Sequence, residues 1–594
     1  MVYQKTQYKT TKRFTTQKGI KMSSKSTKYE VKRLDHLGIV AGVIKDLKIV
    51  EMIDERLGKY EGETLTAGET VAGMIINGLG FSGKPLSLTP LFFDNCPVEL
   101  LFGEGVDAAD FNRFKLGRVL DRCYNYGTEL LFSEIALNVC RQENVDTRFN
   151  SEDTTSFVVY GNYATDESNQ TAVGENNQTV VSENNQTAVD ESNQTETGEV
   201  MVEIKRGYSK AHRPDLKQVM LEMMVSQDGG IPLIGKCLSG NASDNVVFKE
   251  RSEKLIEQFK ESETPRYLIA DSKLYTEKNA VNLKDLQFIT RIPNQLKPVE
   301  ETIDKALAAP NDWQTLDDGR VMQSFDIEHY GMKQRWHVLS SETSQQRAAK
   351  QVEKQVTKEA KVIEKELFHL QVKRFNSADE AIAGAKILEK KWKFHNLNEC
   401  KPVEHKVYTT KGRPKKTQKP DKIQYQTVAT STPNEEKINK NKVKQGHYLV
   451  GGNAKTLSDR EVVEAYKKQH HVERGFRFLK DPLFFASSLF VKNTKRIMGL
   501  LMVMLLSLLV YGIAERRMRA CLKQQDQTLP NQIQQETPNP TLRWVFQLLQ
   551  GINYLTISTG KLVRYVIEGL TELRQKILQL FGESVANIYQ FSSA

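Results

Sequence analysis

Three acids in this 594-residue chain stand where side chains from different elements could converge. Asp153 lies in SEDTTSFVVY (151–160), a run of β-branched and aromatic residues that reads as a strand. Asp271 falls in YLIADS (267–272), a short apolar run ending at an acid. Strand tips in α/β sheets are rigid and open to solvent, so ligands bind there. Two carboxylates converging from neighbouring strands would hold hard divalent cations, which prefer carboxylate and phosphate oxygens to nitrogen or sulfur. Acids at strand ends are also ordinary solvated surface, and the pair alone does not separate the two readings.

The third acid, Glu473, belongs to a predicted helix. Ser458 and Glu461 form a capping box that starts it, and the pattern continues to about Lys480. Tyr466, Gln469, Glu473, Arg477 and Lys480 recur at steps of three or four and make one polar stripe. A solvated helix face has this pattern. So does a metal ligand beside a DNA backbone: Glu473 would complete the metal shell, Arg477 and Lys480 would face phosphates, and Tyr466 would touch sugar or phosphate.

These residues need elements to hold them. After the first strand come QVMLEMMVS (218–226), the turn DGG, IPLIGKCLSG (231–240), a helix near 245–262, the YLIADS strand, a short helix and FITRIP (288–293). That order predicts a mixed α/β sheet of five strands. Residues 30–147 carry apolar residues at helical spacing, as in VAGVIKDLKIVEMIDERLG. Residues 301–449 read as a separate insertion, with a long helix through 345–373 bearing Val352, Val356, Ile363, Leu367 and Leu370 on one stripe. An eight-residue repeat, ESNQTAVG and three variants, fills 167–198. It is polar and acidic, lacks large apolar side chains, and predicts a disordered hairpin loop.

Charge and cysteine content narrow the function classes. The net charge is +10, and the positive residues cluster. Residues 1–29 hold eight Lys or Arg and no acid; residues 401–420 hold seven against Glu404 alone. Clustered positive charge suits a polyanion partner. Within the second cluster, Lys411, Gly412, Arg413, Pro414, Lys415 and Lys416 resemble an AT-hook, which inserts arginine into a narrow minor groove. A solvated basic loop meeting only phosphates has the same composition. The six cysteines have no CxxC-type spacing, which argues against zinc and fits a reducing cytosol. The N-terminus lacks the apolar stretch of a signal peptide. Residues 497–514, IMGLLMVMLLSLLVYGIA, carry no charge and could span a bilayer or form a buried core helix.

Taken together, the motifs resemble the DDE transposases of bacterial insertion sequences, in the subgroup with a Tyr-x2-Arg-x3-Glu-x6-Lys signature. Tyr466, Glu473 and Lys480 match that spacing, while Gln469 departs from it at the arginine. EDTTSF around Asp153, YLIADSKLY around Asp271 and GYSKAHRPDLKQ (207–218) match further stretches in the right order.

The resemblance implies an α/β fold with an RNase H-like core. The expected domains are a basic disordered tail (1–29), a helical, DNA-binding N-terminal domain (30–147), the first part of the core (148–300), an insertion (301–449), the completion of the core with the glutamate helix and a buried apolar helix (450–525), and a helical C-terminal region (526–594). It implies Asp153, Asp271 and Glu473 as catalytic ligands of two Mg²⁺ ions, with Mn²⁺ tolerated, in cleavage of transposon ends and strand transfer into target DNA. Tyr466, Gln469, Arg477, Lys480, Lys411, Arg413, Lys415 and Lys416 are the expected DNA contacts. A homodimer in a synaptic complex, a cytoplasmic, nucleoid-associated location and no membrane follow. Some relatives pass through a DNA hairpin in which the signature's Arg and Lys handle the backbone, so Gln469 leaves that step open. A flipped base would need an aromatic platform, for which Trp313 and Trp336 are candidates against a core role. An inactive DNA-binding relic and a membrane-anchored protein are the competing readings.

Overall fold

The computed structural model describes residues 27–159, 201–207, 213, 215–242, 265–409, 418–484 and 493–590. The repeat at 167–198, the expected 245–262 helix and the hook at 411–416 lie outside them. Two units emerge.

One unit gathers residues 1–51, 59–116 and 514–594. Strand β1 (Thr27–Arg33) pairs antiparallel with β15 (Asn553–Thr559), which pairs with β16 (Leu562–Glu568). A two-residue pairing joins β13 (Leu529–Pro530) to β14 (Glu536–Thr537). Helices make up much of the remainder. One of them, Ala67–Leu79, starts at a capping box between Thr66 and Glu69. Gly38 and Gly42 let the helix Leu37–Asp46 lie against Tyr589 and Val585, where any Cβ would come within 2.6 Å of either side chain. Three expectations change here. The basic tail read as 1–29 gives way to a strand at Thr27, the C-terminal region contains a β-hairpin, and the described N- and C-terminal segments share one unit. Strand β1 meets a partner more than 500 residues away, which no local pattern encodes.

The other unit holds residues 52–58 and 117–513 and is built on a nine-stranded sheet. Its strands are β2 (Phe149–Val159), β3 (Lys217–Ser226), β4 (Pro232–Leu238), β5 (Tyr267–Ala270), β6 (Gln287–Ile292), β7 (Gln314–Thr315), β8 (Val321–His329), β9 (Met332–Ser340) and β12 (His447–Gly452). The spatial order is β4-β3-β2-β5-β6-β12-β9-β8-β7. Strands β2, β5 and β6 run parallel, and β3 and β4 are antiparallel to their neighbours. This is the five-stranded, RNase H-like arrangement expected from the sequence. The DGG turn joins β3 to β4, with Gly229 and Gly230 at φ of 84° and 70°, a region that glycine enters without steric cost.

The sheet does not stop at β6. Four further strands extend it, so the stretch read as an insertion from 301 contributes β7, β8 and β9 to the main sheet. The excursion that leaves the sheet runs from Glu342 to Gln445. It contains the long helix Glu342–Val372 and a hairpin of β10 (His395–Val407) and β11 (Lys422–Pro433). Val352, Phe394 and Ile438 form a small core for it.

The charge-free segment lies in the helix Thr494–Gln524. Its most apolar window is 94% buried inside the protein, so it is a core helix. Gly235 of β4 admits it closely: a Cβ there would lie 2.2 Å from Leu505 Cδ1.

Candidate active site

The register of β2 against β5 places the two aspartates. Phe149, Asn150 and Ser151 pair with Tyr267, Leu268 and Ile269. The ladder ends there; carried two residues further along each strand, its register would bring Asp153 level with Asp271, the residue after the end of β5, on one face. The last β5–β6 pair, Ala270 with Thr290, leaves Arg291 at the next register position, one strand over. On the other side, Met223 pairs with Asp153 and Gly235 with Met223. Continued in this way, one rung would read Gly235, Met223, Asp153, Asp271, Arg291: apolar packing at one end and charge at the other.

Two helices lie over this face. Asp459–Lys467 begins at the Ser458–Glu461 capping box, and His470–Leu479 carries Glu473. The sequence predicted one helix to Lys480; the structure breaks it at Lys468–Gln469. The cause is Gln227. Its Nε2 donates to the Ala465 carbonyl at 2.6 Å, the group that the Gln469 N–H would bond in an unbroken helix. Gln469 N–H turns instead to Tyr466 O, and His471 N–H to Lys468 O, a locally tightened i→i+3 pattern.

The same contacts fix where Glu473 sits. Gln227 Nε2 also donates to Ser151 Oγ at 3.1 Å, and Lys480 Nζ donates to Thr155 Oγ1 at 2.6 Å. Ser151 and Thr155 flank Asp153 by two residues on one strand face. The helix pair is pinned on either side of Asp153, with Glu473 between the pins. Gly475 brings the helix down: a Cβ there would meet Met223 Cε at 2.7 Å.

Electrostatics ties the helix acid to the second strand acid. Tyr466 is half-buried, and burial pushes its phenol up to about 12; Arg291 opposes the rise, while the charges of Asp271 and Glu473 add to it. One phenol therefore feels both carboxylates. Burial, aided by Arg474, pushes His471 down to about 4 and holds it neutral at pH 7. Asp271 Oδ1 accepts from Lys273 N–H at 2.8 Å, and Asp153 Oδ1 from Thr154 N–H at 2.7 Å.

Among the described residues, no three or more His, Cys, Asp or Glu side chains form a group that could hold a metal ion by themselves. The register runs on toward Asp153 and Asp271, and the Glu473 helix packs on β2 and β3 without the three acids closing a cage. That fits a hard cation such as Mg²⁺, which binds through one or two carboxylates and completes its shell with water and substrate phosphate. Arg477 and Lys480 are exposed beside Glu473, and Gln469 is half-exposed. Trp336 is fully buried, its Nε1 donating to Gln334 Oε1, so it is a core residue rather than a platform for a base. Trp313 Nε1 donates to Ala306 O. The sequence reading missed Arg291 and its neighbour Tyr448, whose ring lies 5.4 Å from the Arg291 guanidinium. Only the sheet register reveals them.

The family model described as "Transposase DDE domain" matches residues 185–510, more than half of the chain. That stretch includes Asp271 and Glu473 and begins beyond Asp153. A domain of unknown function (DUF4277) matches residues 29–137. No curated protein matches the sequence. Among solved structures, a piggyBac transposase synaptic complex with hairpin DNA aligns at 9% identity, covering 88% of this chain and 82% of that one, with a TM-score of 0.34. A likeness so remote fixes neither fold nor site.

Proposed function

The chain belongs to the DDE transposase family, and from that premise we propose that Asp153, Asp271 and Glu473 are the metal-binding acids with which it cuts transposon ends and joins them to target DNA. The observation that carries this assignment is the β2–β5 register, which leads to Asp153 and Asp271, together with the Gln227 and Lys480 bonds that hold the two helices around Glu473 against β2. Two carboxylates on adjacent parallel strands repel one another unless a cation or proton sits between them. Bound Mg²⁺ or Mn²⁺ ions, two in the full site, supply Lewis acidity and an activated nucleophile.

The chain's own residues bind and orient. Asp153 and Asp271 offer oxygens from rigid strands, and Glu473 approaches from the helix. Lys480 and Arg477 face the DNA backbone, and Tyr466 and Gln469 line its approach. Hydrolysis of one phosphodiester frees a 3′-hydroxyl. In strand transfer that hydroxyl displaces another 3′-oxygen from a target phosphodiester, so one bond forms as one breaks. Lys411, Arg413, Lys415 and Lys416, between β10 and β11, add a second DNA contact. A homodimer would hold two ends in a synaptic complex, and a cytoplasmic, nucleoid-associated location suits the substrate.

The test is a cleavage assay on a plasmid carrying the gene with its native flanks. Metal-dependent breaks at flanking inverted repeats support the assignment. Breaks that persist in Asp153→Asn would remove it.

A further inference from the structure

Arg291 follows Thr290, the strand partner of the residue before Asp271, and the carboxylates do not neutralise it. Its side chain is exposed. Among the described residues it forms no ion pair within 4.0 Å, although Asp271 directly follows the adjacent strand β5. Tyr448 explains this: the guanidinium lies over its ring, 5.4 Å from the centroid, on the side away from β5. The charge still reaches across the site, since it opposes the rise of the Tyr466 phenol. A guanidinium presents a planar fork of donors that matches two phosphate oxygens. An exposed one, held beside two metal-binding carboxylates but unpaired to them, is placed for an anion that arrives with the metal.

We infer that Arg291 binds a backbone phosphate of the DNA strand at the acids, and that Tyr448 holds it ready. This rests on the transposase reading above and names a contact within that site. It also accounts for Gln469. The glutamate helix starts there without a cation, and the arginine charge comes instead from β6, beside Tyr466.

The experiment compares the full chain with Arg291→Ala, Arg291→Lys and Asp153→Asn. Binding to a 40-bp duplex is titrated over a salt series, nicking of supercoiled plasmid is followed in Mn²⁺, and Mn²⁺ affinity is measured without DNA. Arg291→Ala should flatten the slope of log K against log salt by roughly 0.9, one phosphate contact. It should slow nicking about 100-fold, the typical loss of one charge-stabilising donor. It should also tighten Mn²⁺ binding, because a positive neighbour of the carboxylates is gone. A damaged site would instead bind Mn²⁺ more weakly. Arg291→Lys should recover the salt slope but only part of the rate, since a point charge lacks the fork. If Asp153→Asn is inactive while Arg291→Ala keeps the wild-type slope and rate, the role of Arg291 is overturned alone. If the wild type does not nick, or Asp153→Asn nicks normally, the inference falls together with the transposase assignment.

Discussion

Lys480 donates to Thr155 Oγ1 at 2.6 Å and so anchors the end of the glutamate helix two residues along β2 from Asp153. Thr155 is buried and Lys480 exposed, so the bond is partly screened by solvent. Thr155→Val keeps the shape and removes the acceptor. The expected loss is about 1 kcal/mol of stability, read as a shift in urea midpoint at constant m-value. The cleavage rate should fall as well, because Glu473 loses one of its two pins. An unchanged rate would mean that Gln227 and the packing of Gly475 are enough to place the helix.

Gly452 tests the sheet extension. Its Cβ would fall 1.8 Å from the Phe288 carbonyl oxygen, a backbone atom that cannot rotate away. Gly452→Ala must part β12 from β6, and overpacking of this kind typically costs about 1–3 kcal/mol or more. Calorimetry on the variant decides it. A melting temperature equal to wild type would show that β12 does not pair with β6 as described.

Acid should loosen the helix seat. His337 lies buried under the helix that precedes Glu473, its Nδ1 sharing a hydrogen bond with Ser324 Oγ at 2.8 Å. Burial pushes it down to about 4, and Arg335 pushes the same way against Asp459 and Asp326. The unfolded chain takes up this proton near pH 6.5. Between about 6.5 and 4 the unfolded state binds more protons, so stability falls as pH falls; above 6.5 the contribution is complete. His36 and His471, also held near 4 by burial, act in the same direction. His337→Gln should flatten part of the stability-against-pH curve in this window. Identical curves for wild type and variant would refute the assignment.

The hook can be tested on DNA alone. Arg413→Ala should weaken binding to A·T-rich duplex more than to G·C-rich duplex, whereas Lys415→Ala and Lys416→Ala should weaken both alike. Equal losses for Arg413→Ala on both sequences would make it an ordinary phosphate contact.

The legible parts of this protein are the ones with local causes. Asp271 follows an apolar run, Ser458 and Glu461 are three residues apart, and Gly229 and Gly230 sit between two strand patterns. Each announces its element within a few residues. What the sequence hid was set at a distance. The helix break at Gln469 is made by Gln227, 238 residues from the carbonyl it captures. The excursion seemed to begin at 301 because helix and charge dominate that stretch, yet β8 and β9 return to the sheet through a tight turn at Tyr330 and Gly331, both at positive φ. Arg291 reads as one more basic residue until the register puts it beside Asp271.

We propose that Asp153, Asp271 and Glu473 act on one phosphate. The most direct measurement is single-turnover cleavage of transposon-end DNA in Mg²⁺ by Asp153→Asn, Asp271→Asn and Glu473→Gln, with duplex binding measured alongside. Each change keeps the shape and removes one charge. Cleavage should be abolished in all three while DNA binding stays close to wild type. Near-wild-type cleavage by any one of them would contradict the shared site and remove that acid from it.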